Sequence, residues 1–237
     1  MRVATCLLAL LATGSLAIEA SRSGSVPSPS LAEQRGDRDG LVRKFLAGDD
    51  RPLVSYRAIR RLTASTRGGK MQAVLTARTS LAPDAGFQYE ILDENGSGII
   101  RSKVLHAALE AERDARRRDQ IARAALTEAN YRFTLGEDTP DGLARVAIVP
   151  KRKDAMLVEG SILLTLEDAE LVRVEGLLVK RPSFWTRRVE IVRRYQRIAG
   201  VRVPIAMGSI ADVLFTGKST FSMDYEYQSI NGVEVPR

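Results

Sequence analysis

The residue types that most often carry catalysis are scarce in this chain of 237 residues. His106 is the only histidine and Cys6 the only cysteine, and no G-x-S-x-G motif offers a serine nucleophile. Zinc ligands and the glycine motifs of dinucleotide-binding and P-loop proteins are missing as well. We therefore interpret His106 as a partly exposed helix residue, and the sequence predicts no metal site, no cofactor and no enzyme activity.

Paired carboxylates are the one catalytic arrangement that the composition still allows, because glycoside hydrolysis needs only two acids at a suitable separation. Turn carboxylates, however, are normally solvated or bonded to nearby backbone. The adjacent pairs in predicted turns are Asp49 with Asp50, Glu137 with Asp138, and Glu167 with Asp168. A hydrolase is accordingly the third of three functional hypotheses.

A second candidate site resembles the first half of an EF-hand calcium loop. Asp93, Asn95, Ser97 and Gly98 follow the spacing of its first ligands. The twelfth position, where a bidentate glutamate belongs, is Val104, and no helix is predicted before the loop. The stretch is therefore predicted to be a plain turn between a strand and a helix.

The modest positive charge of the chain has two interpretations, a generally basic surface without a specific partner or a surface that meets an anionic neighbour. Its formal net charge is +7, which in an exported protein favours phospholipid headgroups, lipopolysaccharide or an acidic protein partner. Glu190 and Glu226 interrupt the basic residues, and export would remove nucleic acid as a target. Nucleic-acid binding is therefore not expected.

Residues 1–17 have the pattern of a cleaved signal peptide. Arg2 precedes a short apolar run at 3–12, and Ser15, Leu16 and Ala17 form the small-x-small pattern that signal peptidase needs. The run is about half of the roughly 20 residues that span a bilayer, which argues against an anchor. We expect cleavage after Ala17, a flexible lead-in at 18–36, a single domain at 37–237 and a periplasmic or secreted location.

The remaining chain is dominated by period-two runs, the longest of which predicts a strand at 183–198 with Trp185, Ile191 and Arg193 on one parity. Short turns between such runs predict antiparallel neighbours. A helix is predicted at 37–47. A helical insertion at 99–126 must pack on the sheet, because its alanine-rich stripe is weak. The other predicted strands are 54–65, 71–81, 87–93, 131–135, 143–149, 155–166, 171–180, 201–215 and 219–230.

The short N-terminal helix, the helical insertion after three strands and the long antiparallel run to the C-terminus resemble the LolA-like superfamily. This superfamily includes periplasmic lipoprotein carriers and receptors. The resemblance spans 37–235 and implies a mainly β (α+β) fold: a strongly curved antiparallel sheet or incomplete β-barrel, with a short N-terminal helix and a helical insertion covering the concave face. The residues that resemble a run in bacterial proteins of this general type are Arg181, Pro182, Ser183, Phe184, Trp185, Thr186, Arg187, Arg188, Val189, Ile198, Gly200, Val201, Val203 and Pro204.

The same resemblance implies a function in the bacterial cell envelope. It predicts a soluble, non-catalytic carrier that binds lipid or the acyl chains of a lipoprotein, as in lipoprotein sorting to the outer membrane. Because Cys6 is not a usable lipid-attachment cysteine, the protein would be peripheral at most to the membrane. The alternative is an envelope interaction or regulatory domain, similar to the sensor RseB, that acts on a protein partner without bound lipid.

The predicted ligand-binding face takes one parity of three successive strands. Arg193 would meet a headgroup, ester or carboxylate there, or else lie at the rim with its stem covering the sheet. The predicted cavity-face residues are Trp185, Val189, Ile191, Arg193, Tyr195, Val203, Ile205, Met207, Phe221, Met223, Tyr225 and Tyr227.

Overall fold

A computed structural model describes residues 40–48, 50–117, 122–181, 186–214 and 217–236. The predicted signal peptide at 1–17 and lead-in at 18–36 lie outside the described residues, as does Trp185 of the predicted ligand face. The division of the chain into these segments and a single domain at 37–237 stays a prediction.

Two helices accompany the sheet. The first, α1, is helical over residues 40–47, where the amphipathic pattern predicted a helix. The second, α2, lies where the helical insertion was predicted. It begins at Gly98–Ile100, continues as a π-helical stretch at Arg101–His106, and ends as the α-helix Ala107–Arg117. A short 3-10 turn follows at Ala122–Ala124.

Eleven strands are found in the described parts of the chain; the first ten agree with the ten period-two runs of the sequence, and the short eleventh strand was not predicted. The strands are β1 Tyr56–Thr66, β2 Met71–Ala82, β3 Gly86–Gly96, β4 Tyr131–Asp138, β5 Leu143–Pro150, β6 Val158–Thr165, β7 Leu171–Leu178, β8 Thr186–Ile198, β9 Val201–Val213, β10 Gly217–Ile230 and β11 Val233–Glu234.

Two antiparallel meanders, β1 to β3 and β4 to β10, form one sheet in the order β3-β2-β1-β10-β9-β8-β7-β6-β5-β4. The pairing of β1 with β10 joins the meanders, and β11 adds to the end of β10. Because β3 and β4 are its two edges, the sheet formed by the described residues is not closed. This confirms the predicted fold class, a mainly antiparallel open sheet with a short N-terminal helix and a helical insertion.

Each edge strand carries one residue more than its neighbour at a register shift. In β3 the extra residue is Leu92, and in β4 it lies between Leu135 and Asp138. Such β-bulges bend the strand and increase its local twist.

One row of side chains crosses eight strands on the same face of the sheet. Residues paired directly across antiparallel strands point to the same side, so consecutive pairings trace the row. Seven of its eight members are apolar, and all eight are at most 5% exposed. From β5 to β2 the row is Val146, Ile162, Val174, Arg193, Met207, Met223, Leu62 and Leu75. We call the face that carries this row the covered face.

Both helices pack on the covered face, each on its own half. α1 contributes Leu41 and Phe45 to a core with the β4–β7 half, and α2 contributes Leu105 and Leu109 to a core with the β1–β3 half and its neighbours. In the row, Arg193 lies between Val174, which belongs to the core under α1, and Met207, which belongs to the core under α2. In the described parts of the chain, the covered face thus packs against two separate helices, with loop and turn residues such as Leu53, Ala124 and Leu126 adding to the two cores, and not against a second sheet.

Strands β6 and β7 approach one another closely at a pair of glycines. Gly160 lies directly opposite Gly176. A Cβ atom at Gly160 would lie 2.1 Å from the backbone oxygen of Glu175, so no side chain fits without a shift of the backbone. These glycines therefore allow the close approach.

The substitution Gly160→Ala should lower the free energy of unfolding by about 1–3 kcal/mol, the usual cost of forcing an extra carbon into a packed site. The control is Gly208→Ala in β9, where a Cβ would meet its nearest neighbour only at 4.0 Å. Because glycine is unfavourable in a strand, this control should be neutral or stabilising by about 0.5–1 kcal/mol. Urea unfolding measures both, and equal effects would contradict the steric role of Gly160.

Candidate functional site

The structure places the described residues of β8 from the predicted ligand face on the covered face. Val189, Ile191 and Arg193 are buried, and Tyr195 is half-buried. The intervening Val192 is 42% exposed, so the strand alternates between the two sides of the sheet. That these side chains contact a ligand stays a prediction.

The predicted residues of β9 and β10 lie beside those of β8. Strand pairing sets Met207 opposite both Arg193 and Met223, so residues from three strands meet on one face. Among the predicted residues of these two strands, the buried ones are Val203, Met207, Phe221, Met223 and Tyr227, and the half-buried ones are Ile205 and Tyr225.

Ile205 departs from simple alternation because a register shift interrupts the pairing of β8 with β9. Arg194 pairs with Ala206, whereas the next residue, Tyr195, pairs with Pro204. Ile205 is the extra residue of this β-bulge and has no direct partner on β8. A bulge changes the direction of the side chains around it, which the sequence pattern did not show.

A buried ion pair joins α2 to the covered face. Arg60 of β1 is fully buried and lies two residues before Leu62, on the same face. Its Nη1 donates to Oε2 of Glu112 at 2.5 Å, and its Nη2 donates to Oε1 at 3.2 Å. Nη2 also donates to the hydroxyl of Tyr56 at 2.5 Å, and Nε of Arg116 donates to Glu112 at 3.1 Å. The two charges are therefore paired and hydrogen-bonded, as burial requires.

Aromatic rings surround the guanidinium of Arg60. Its central carbon lies 4.6 Å from the ring centre of Tyr225, 5.1 Å from that of Phe87 and 5.7 Å from that of Tyr56. The faces of aromatic rings attract a cation at these distances. Tyr227 stacks on Tyr225 with ring centres 6.1 Å apart. Apart from its polar partners, the charge of Arg60 lies in apolar and aromatic surroundings.

The titration of this cluster follows from its burial and its charges. Burial alone raises the pKa of Glu112, but the charges of Arg60 and Arg116 outweigh burial and hold that pKa below its usual range. Burial raises the pKa of Tyr225 to about 12, against the opposing effect of Arg60. Glu112 is therefore ionised at neutral pH and the tyrosines are neutral.

A second charged cluster holds the chain just after α1. The buried Asp50 accepts a hydrogen bond from Nη2 of Arg197 at 2.7 Å, and Nη1 of Arg202 lies 2.9 Å from its other oxygen. Arg202 also lies over the ring of Phe45, 5.0 Å from its centre, and Nε of Arg197 donates to Glu170 at 2.8 Å. α1 is thus tied to the hairpin of β8 and β9 by both charge and aromatic contact.

His106 lies in the π-helical stretch of α2 and is about one-third exposed. Its Nε2 is 2.6 Å from Oε2 of Glu94 at the end of β3, and Arg101 donates to the other oxygen of Glu94 at 2.6 Å. The hydrogen bond from His106 and the charge of Arg101 hold the pKa of Glu94 below its usual range. The described residues contain no cluster of three or more potential metal ligands.

Access to the covered face requires a helix to move. A pocket of about 330 Å³ lies at the end of β10, and it includes only Tyr227 of the predicted ligand-face residues. The row itself lies beneath α1 and α2. In the parts of the chain that the structure describes, no helix combines the length and the apolar character needed to cross a membrane.

Sequence analysis missed Arg60 and Glu112, although both carry a signal. Arg60 shares the parity of Tyr56, Ala58 and Leu62, which is the apolar side of β1. An arginine on an apolar parity indicates a buried charge and hence a missing partner. Glu112 likewise follows the buried Ala108 and Leu109 at helical spacing.

Comparisons with known proteins find solved structures of similar fold and show no family. No family model and no curated protein matches the sequence. A LolA superfamily protein from Nitrosomonas europaea is 9% identical with a TM-score of 0.38, covering 88% of this chain and 96% of that one. A DUF1329 family protein from Desulfovibrio piger is 12% identical with a TM-score of 0.37, covering 81% and 90%. These values are too low to place the chain in either family or to support an argument about its ligand.

The substitution Glu112→Gln should lower the free energy of unfolding by roughly 3–5 kcal/mol, because it leaves the buried charge of Arg60 without its counter-charge. The matched control is Glu90→Gln, which breaks the ion pair with Arg78 between two side chains that are each more than half exposed. An exposed pair contributes about 0–1 kcal/mol. Chemical unfolding should separate the two variants clearly, and similar losses would show that Arg60 does not depend on Glu112.

Acid should weaken the contact between α2 and the sheet. A carboxyl group whose pKa is lower in the folded state contributes stability above its unfolded pKa, and this contribution is lost as the pH falls through the folded pKa. For Glu112 the loss begins below about pH 4.3. The double variant Arg60→Met/Glu112→Leu removes both charges, so its free energy of unfolding should fall less steeply between pH 5 and pH 3. Parallel pH profiles of the parent and the variant would contradict this.

Proposed function

We propose that this protein is a non-catalytic binding or carrier protein for an amphiphile with an acyl chain, and that α2 is a movable cover. One observation carries the proposal: an unbroken row of mainly apolar side chains crosses the covered face, and in the described parts of the chain it packs against two separate helices and a few loop residues, with no second sheet. A sheet whose apolar face is closed by small detachable elements gains a binding surface when one of them moves.

The length of the row suits an acyl chain. Its eight strands are separated by seven intervals of about 4.8 Å, which gives roughly 34 Å along the sheet. The hydrocarbon core of a bilayer is about 30 Å thick and holds two acyl chains end to end. The row therefore exceeds the length of one extended acyl chain, and its side chains offer the apolar contacts that such a chain needs.

Several features support α2, not α1, as the moving cover. Besides the apolar residues Ile100, Leu105 and Leu109, α2 buries the charged side chain of Glu112 against the sheet. The ion pair of Glu112 with Arg60 is therefore part of its attachment, and an external anion can replace Glu112 in that pair. Its π-helical stretch, Arg101–His106, is a geometry that often marks a functional site.

We also propose that the protein acts outside the cytoplasm. The pattern of Arg2, the apolar run at 3–12 and the small residues up to Ala17 supports export. An exported chain in the cell envelope would encounter lipids and acylated proteins, which are the ligands that an apolar row accommodates.

Binding of a fluorescent fatty acid tests the proposal, together with native mass spectrometry of gently purified protein to detect bound lipid. The substitution Met207→Gln changes the covered face with little change in size. It should weaken binding about tenfold or more, because an unpaired amide in an apolar site costs on the order of 1–3 kcal/mol. The control Ile210→Gln alters an exposed residue of the same strand and should bind as the parent does.

Thermal unfolding of both variants separates lost binding from lost folding. If the two variants bind equally, the covered face is not the ligand face. If the parent retains no lipid and binds no fatty acid, the carrier hypothesis is wrong and the interaction-domain alternative takes its place.

A further inference from the structure

If α2 moves as proposed above, the positive charge of Arg60 restricts the chemical class of the ligand. Among the described residues, Glu112 is the only carboxylate paired with Arg60, and it belongs to α2. Arg60 itself belongs to β1 and stays with the sheet. Any displacement of α2 therefore takes the counter-charge away and leaves the guanidinium behind on the covered face.

An arginine cannot resolve this by losing its proton, because its guanidinium stays charged in proteins. Its surroundings on the sheet are the rings of Phe87 and Tyr225 and the sulfur of Met223, which lies 3.8 Å from Nη1. These groups compensate a full charge only in part. A cation left in such a place without an anion is strongly unfavourable.

The geometry of Arg60 defines the group that can replace Glu112. In the closed state two guanidinium nitrogens donate to the two oxygens of one carboxylate, which is the planar pairing that arginine makes with carboxylates and phosphates. In addition, the buried Nε of Arg60 has no hydrogen-bond partner among the described residues. The site thus has donors for two or more oxygens of a ligand.

We propose that the ligand is an anionic amphiphile whose carboxylate or phosphate group takes the place of Glu112 on Arg60 while its alkyl chain lies along the apolar row. This inference rests on the proposed carrier function and names the chemical class of the ligand. The row passes through Leu62, two residues from Arg60 on the same face of β1, so one molecule can contact both. Neutral lipids would leave the cation unpaired and bind more weakly.

Three ligands with the same alkyl chain test the proposal: dodecanoate, dodecyl phosphate and dodecanol, each measured by displacement of a neutral fluorescent alkyl probe from the full chain. At least one of the two anions should bind about tenfold or more tightly than dodecanol, the ratio that corresponds to a hydrogen bond with a charged group. A preference for dodecanoate points to a fatty acid, and a preference for dodecyl phosphate points to a phospholipid headgroup. Inorganic phosphate alone should not displace the probe, because it lacks the chain; displacement by phosphate would contradict the bound pose.

The double variant Arg60→Met/Glu112→Leu removes the pair and avoids an isolated buried charge. In it, the affinity for the anions should fall to that for dodecanol. The matched control Arg78→Met/Glu90→Leu, which alters the exposed pair, should keep the preference of the parent. Equal affinities for dodecanol and both anions in the parent, or a preference that survives in the Arg60 variant, would overturn this inference and leave the carrier function intact. If the neutral probe binds poorly and none of the three compounds displaces it, the protein does not bind alkyl chains, and the carrier function is overturned instead.

Discussion

The contact between Arg60 and Glu112 is the interaction on which the arrangement of this protein depends. Two charges far apart in sequence are buried together between a strand and a helix, and a buried pair is tolerated only if its geometry is good. The hydroxyl of Tyr56 accepts a hydrogen bond from Arg60, Arg116 donates one to Glu112, and the ring of Tyr225 completes the geometry. Because a shift of α2 by one residue would separate the charges, the pair selects a single position of the helix on the sheet.

The two helices are attached to the covered face by different kinds of contact. α1 is bound by large apolar side chains and by the cluster of Asp50 with Arg197 and Arg202 at its end. α2 contributes Ile100, Leu105 and Leu109 to the other core and buries the ion pair of Glu112 with Arg60 near its centre. Arg101 and His106 also contact Glu94 at the end of β3. The two helices thus cover a common surface through different kinds of contact.

Much of the fold could be predicted because strands with one buried face alternate strictly between apolar and polar residues. In β8, Val189, Ile191 and Arg193 alternate with exposed residues, and no helical period competes with this pattern there. The pairing of β1 with β10 could not be predicted, because it joins residues such as Leu62 and Met223 that no local pattern connects. The bulge at Ile205, in contrast, has a local signal that sequence analysis did not use, because a proline such as Pro204 inside a central strand indicates a bulge.

The candidate site was predicted less completely, for a physical reason. Parity identifies which residues of a strand share a face, but the partner of a buried charge depends on how a helix is rotated above that face. Arg60 shares the apolar parity of Tyr56, Ala58 and Leu62, which indicates a buried charge, but its partner Glu112 is identified only when the helix is in place. Trp185, in contrast, lies outside the described residues, and its role stays a prediction.

The bulges in β3 and β4 have a consequence for the behaviour of an open sheet. An open sheet has two edges with unpaired backbone groups, and a flat edge of this kind recruits strands from other molecules. Here the extra residue at Leu92 and the one before Asp138 each disturb the regular spacing of the edge. Glu90 and Asp93 on one edge and Arg132 and Glu137 on the other add exposed charge. Bulges and exposed charges at both edges are features that disfavour edge-to-edge polymerisation of an open sheet.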